Sequence, residues 1–215
     1  MDLPCSLFAL NMSIDCCQGK GRELEQLQKQ HSKVLWIVLL INAIMFVVEL
    51  VSGLRAQSLS LTGDSLDMLG DALVYGGSLY VIYKSSRAQA RVALLKGFIM
   101  LASALIVLIR GLYQLSVWST PAPQTMTQIG ILALVANLVC LMLLTSHKED
   151  NLNMSSVWLC SRNDIIANSS VLVAALMITV FKSPLPDILV GFFLTTVFTK
   201  SSMKVISASR KQLIA

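Results

Sequence analysis

VLWIVLLINAIMFVVELV, residues 34–51, is an 18-residue apolar run broken only by Asn42 and Glu49. A helix rises about 1.5 Å per residue, so with modest flanking this run crosses a hydrocarbon core of about 30 Å. Five more segments read the same way: Leu59–Tyr83, Val92–Tyr113, Met126–Leu144, Met154–Phe181 and Asp187–Phe198. Short polar stretches separate them at Gly53–Ser58, Lys84–Arg91, Ser119–Thr125, Ser146–Asn153 and Lys182–Pro186. The expected fold is an all-α integral membrane protein, a bundle of six transmembrane helices with no room between them for a second folded domain.

Composition agrees. Of the 215 residues, 55% are hydrophobic and 13% charged, about half the charged fraction of a soluble protein. The mean hydropathy is +0.70. The formal charge of +5 does not indicate a nucleic-acid partner, because the basic residues lie between apolar runs and form no stripe. Those bases set direction instead. Lys20, Arg22, Lys29 and Lys33 precede span one, and Lys84, Arg87 and Arg91 lie between spans two and three. His147 and Lys148 follow span four, and Lys200, Lys204, Arg210 and Lys211 follow span six. The alternate loops carry only Arg55, Arg110 and Lys182. The positive-inside rule therefore puts both termini in the cytoplasm.

Acids inside these spans need a reason, since a charge at a helix centre costs about 2.5–3.5 kcal/mol on insertion scales. Span two reads GDSLDMLGD over residues 63–71, with Asp64, Asp67 and Asp71. Asp67 and Asp71 are one turn apart and share a face, close enough to hold one cation. Span five repeats the spacing with Cys160 and Asp164. Both pairs fall roughly 10–20 Å into the bilayer by residue count. The two spans run in opposite directions, so the pairs can face each other as four ligands, Asp67, Asp71, Cys160 and Asp164. Three carboxylates and a thiolate suit tetrahedral zinc, and the sulfur also admits cadmium. Asp64 reads equally as a third acid or a helix-end cap. Asn42, Glu49, Asn137, Asn163 and Asn168 read as hydrogen-bonding glue between helices before they read as supporting ligands, and Arg162 as a counter-charge or a snorkelling base. Gly76, Gly77, Gly97, Ala102 and Ser103 permit close helix packing.

Residues 1–33 form a cytoplasmic head, 34–206 the transport domain and 207–215 a short cytoplasmic tail. The patch Leu7–Leu10 is too short for a signal peptide. Cys5, Cys16, Cys17, Asp15 and His31 could capture a soft metal, but without C-x-x-C spacing a tail with incidental or palmitoylated cysteines is an equal reading. The chain has no phosphate loop, G-x-S-x-G elbow or H-E-x-x-H, so it is not read as an enzyme, and no cofactor is expected.

The segment Ser60–Asp71, the acidic pair of span five, the Pro186-Asp187 opening of span six and Asn42 together resemble the cation diffusion facilitator family of proton-coupled zinc transporters. The resemblance covers about residues 34–206. It implies span-two ligand roles for Asp67 and Asp71 and a span-five role for Asp164. Cys160 stands where that family usually has histidine, and the family's soluble C-terminal domain is expected to be missing. The function expected is efflux of a divalent cation, zinc before cadmium or cobalt, by alternating access with protons as counter-ion. Metal binding to carboxylates and thiolate releases protons, and emptied, crowded carboxylates take them up again. The expected partners are the metal ion, protons, the lipid bilayer and a second copy of the chain, and the expected location is a bacterial inner membrane. The alternative is a non-transporting membrane metal sensor or scaffold.

Overall fold

A computed structural model describes residues 33–81, 86–146 and 155–214. The cysteine-containing head, the whole loop at 147–154 and the side chain of Cys160 lie outside the described residues, as do the side chains of Arg162 and Asn163. The described chain is helical: α1 (Lys33–Arg55), α2 (Leu59–Val81), α3 (Ser86–Val117), α4 (Pro123–Ser146), α5 (Ser155–Phe181) and α6 (Leu185–Ile214). The helices overrun the apolar segments that announce them. Helix α6 continues to Ile214, through most of the residues expected as a tail.

Five of the six are long and apolar enough to cross a membrane, and α2 is the exception. At 23 residues it is about 34 Å long, sufficient to span, but its three aspartates lower its apolarity. The bundle compensates by enclosing it. Helix α2 packs against α3, α5 and α6, and meets α1 and α4 in a cluster containing Leu35, Val38, Tyr75, Cys140 and Leu144. Among described residues the large exposed apolar side chains belong to the other helices, including Trp36, Leu40, Ile44 and Val47 of α1 and Ile106, Ile109 and Leu112 of α3; α2 contributes only Tyr80. The five apolar helices face lipid and the acidic one faces them.

One end of the bundle is tied by polar contacts. The turn after α1 is a Schellman closure, with Ser58 N–H donating to Gly53 O (2.9 Å) and Gln57 N–H to Leu54 O (3.3 Å). Gln57 accordingly sits at φ 54°. The completely buried carboxylate of Asp187, at the start of α6, then caps α2. It accepts from Leu59 N–H (2.7 Å), Ser60 N–H (3.0 Å), and the hydroxyls of Ser58 and Ser60 (2.6 Å each). This answers the open amides and positive dipole of a helix N-terminus with an anion. Gln114 of α3 bridges Asp187 to Gln57 O. Arg110 donates to Thr62 Oγ1 (2.6 Å) and Gly53 O (3.1 Å). Ala122 N–H, at the turn into α4, reaches Ala56 O (3.1 Å). The turns α1–α2 and α3–α4 and the start of α6 thus lie together, at the outer end if the termini are cytoplasmic. Gly191 allows this closure, because a Cβ there would stand 2.8 Å from the Leu59 carbonyl carbon.

Replacing Asp187 leaves several buried donors without an acceptor, at about 1–3 kcal/mol each before relaxation. Asp187→Ala is expected to lower the melting temperature of the detergent-solubilised protein sharply, and Asp187→Asn, which keeps one acceptor oxygen, less so. Equal melting of Asp187→Ala and wild type would show that the cap contributes nothing.

Candidate functional site

Along α2 the environment changes at Leu66. Every residue from Ser58 to Leu66 is buried, whereas Asp67, Leu69 and Asp71–Val74 are only partly so. Asp64 lies five residues into the helix, about 8 Å from its N-terminal end, and Asp71 about 18 Å in. Asp71 accepts a long bond from Tyr75 Oη (3.5 Å), one turn further. On α5 Asp164 is half-buried, and its carbonyl accepts from Asn168 Nδ2 (2.8 Å).

The antiparallel packing of α1 on α2 is pinned at three levels. Val38 shares a cluster with Tyr75, Met45 with Met68, and Gly53 backs onto Thr62, whose nitrogen would be 2.9 Å from a Cβ there. This register puts Asn42 at the level of Asp71 and Glu49 at the level of Asp64. Asn42 donates to Val38 O (2.9 Å) and Cys140 Sγ (3.6 Å), while its Oδ1 is buried without a hydrogen bond. Glu49 lies within electrostatic reach of Asp64 and Asp67, and Asp64 within reach of Asp164.

Four acids from three helices, Glu49, Asp64, Asp67 and Asp164, therefore share one region of the bundle. Asp71 is one turn further along α2. The expected ligands Asp67, Asp71 and Asp164 all lie on the helices that build it, and the backbone of α5 carries Cys160 one turn before Asp164. Among the described residues, however, no three His, Cys, Asp or Glu side chains converge closely enough to hold a metal ion. Sequence reasoning treated Glu49 as glue and left Asp64 undecided. The signal available for Glu49 was its charge within span one; the facing acids of α2 become visible only with the helix register.

Residues 35–214 match the family model described as the cation efflux transmembrane domain. The chain belongs to the cation efflux family. It is an integral, multi-pass membrane protein, and the family match covers all six helices. It is also similar to a protein of Geobacillus stearothermophilus described as an uncharacterized protein in the glgB 5′ region, with 40% identity over 60 residues. That stretch is 28% of this chain and 56% of the relative, so the chain spans little more than half the length of the relative it matches.

The burial gradient of this cation efflux protein predicts one-sided access. In a cysteine-free background, Asp67→Cys and Asp71→Cys should react with a membrane-impermeant thiol reagent applied at the cytoplasmic face, while Ser65→Cys stays protected from both faces. Labelling of Ser65→Cys from outside at the same rate would contradict a closed outer half.

Proposed function

We propose that the protein exports a divalent cation, zinc before cadmium or cobalt, in exchange for protons. The observation that carries this reading is the concentration of acids on an enclosed helix. Burying carboxylates together in a low-dielectric region is costly unless a cation or protons neutralise them. Such a site alternates naturally between a metal-loaded and a proton-loaded form, because a metal binds deprotonated ligands and its arrival displaces protons. The ion is the substrate, and Asp67, Asp71, Cys160 and Asp164 are the residues proposed to hold it midway.

The burial gradient along α2 supports a conformation closed at the outer end, in which the ion arrives from the cytoplasmic half. Export then requires the contacts around Asp187, Arg110 and Gln114 to rearrange, the alternating-access logic of transporters built on helix bundles. Cys160 supplies a soft sulfur beside hard carboxylates, which favours zinc and cadmium over manganese at this level.

Flux into inverted vesicles or proteoliposomes under an imposed pH gradient tests the reading. Zinc uptake should follow an acid-inside gradient and stop when the gradient is collapsed. Asp67→Asn and Asp71→Asn should each reduce uptake at least about 100-fold at matched expression, since the side chains they replace are proposed ligands. Cys160→His should shift preference from cadmium toward zinc, and Cys160→Ala should weaken uptake of both. Full flux in either aspartate variant would remove the four-ligand assignment, and flux indifferent to pH would remove proton exchange.

A further inference from the structure

Glu49 and Asp64 are outside the ligand set proposed above, and no contact described for them gives them a part in holding helices together. Their side chains are 0% and 1% exposed, and none of their four carboxylate oxygens accepts a hydrogen bond. Buried acids used as structure look different in this same protein: Asp187, equally buried, is filled by donors from Leu59, Ser60, Ser58 and Gln114. The Arg110 guanidinium, which reaches α2 two residues before Asp64, is committed to Thr62 Oγ1 and to the carbonyls of Gly53 and Leu54.

The backbone holds the two orphans level. Glu49 lies one turn from Met45 and one turn from Gly53, which meet Met68 and Thr62 on either side of Asp64. Each lies within electrostatic reach of further acids, Glu49 of Asp64 and Asp67, and Asp64 of Asp164. Asn168 lies one turn outward from Asp164 on the same face of α5. It is 1% exposed, and its Oδ1 also accepts no hydrogen bond. The enclosed, unsatisfied atoms contributed by Glu49, Asp64 and Asn168 are all oxygens. Unpartnered buried carboxylates on facing helices are tolerable when a cation sits between them, and an all-oxygen donor set suits hard divalent ions such as manganese while still admitting zinc.

We propose that Glu49 and Asp64, with Asn168 Oδ1, form a second, oxygen-only position for a divalent cation, one turn outward of Asp67. This deepens the transport reading and rests on it. The outer position gives the ion a stopping place after it leaves the thiolate-containing level and before the Asp187 cap opens. It also predicts two ions of different preference, because the inner level has sulfur and the outer has none.

The test uses the full chain in lipid nanodiscs, with zinc alone measured by equilibrium dialysis. Wild type should bind two zinc ions per chain. Glu49→Gln and Asp64→Asn should each bind one, and a variant combining Asp67→Asn with Asp71→Asn should also bind one. Both outer substitutions replace an orphan carboxylate with a neutral amide of the same shape, so neither should lower the metal-free melting temperature. A second measurement needs only wild type: after one equivalent of cadmium, one equivalent of manganese should bind, with an electron paramagnetic resonance signal of oxygen coordination. One zinc in wild type, unchanged in Glu49→Gln, would overturn the outer position and leave the inner site intact. Loss of all zinc in Glu49→Gln would make it a ligand of a single shared site and overturn the separate position. Absence of zinc and manganese binding in wild type would overturn both this proposal and the transport reading beneath it.

Discussion

A helix that carries three carboxylates cannot face hydrocarbon, and the arrangement of the other helices follows from that restriction. Helix α2 is long enough to span, but Asp64, Asp67 and Asp71 would each cost several kcal/mol against lipid tails. The bundle therefore turns the apolar flanks of α1, α3, α4, α5 and α6 outward and keeps α2 among them. Small residues make the enclosure tight. Gly53 and Gly191 let α1 and α6 approach the α2 backbone closely, at Thr62 and Leu59 respectively.

Enclosure alone does not hold a helix end in an apolar surrounding, because its first amides lack partners. Asp187 answers them from α6, and Arg110 and Gln114 extend the same network to α3 and to the turn after α1. The buried polar groups of Asp187, Ser58 and Ser60 at this end have hydrogen-bond partners. A few residues further along, Glu49 and Asp64 are equally buried and unsatisfied. The contrast separates an acid that is filled by donors from two that accept none, although all three have nearly the same exposure.

Much of the fold was legible in the chain. The apolar runs located all six helices to within a few residues at most boundaries, since a span must be continuous and the loops between spans are short. The larger departures have local causes. Helix α3 starts and ends several residues beyond its apolar run, because helical hydrogen bonding continues into polar residues such as Arg87, Gln89 and Arg91. Helix α6 likewise runs on past Phe198 to Ile214. Spacing identified Asp67, Asp71 and Asp164 as acids on α2 and α5, and the structure shows two of these, Asp67 and Asp164, sharing a region with Glu49 and Asp64.

The sequence by itself determined that this is a polytopic helical membrane protein with acids at bilayer depth, because hydropathy and periodicity are properties of each segment alone. Tertiary structure decided what those acids are to one another. Register between helices is not written in either helix: Glu49 lies level with Asp64 only because Met45 packs at Met68 and Gly53 at Thr62. Nor could spacing reveal that Asp187 caps α2 across 127 residues of chain. A hydrogen bond between distant segments depends on how whole helices pack, and a single sequence encodes that packing only through the sum of many weak contacts.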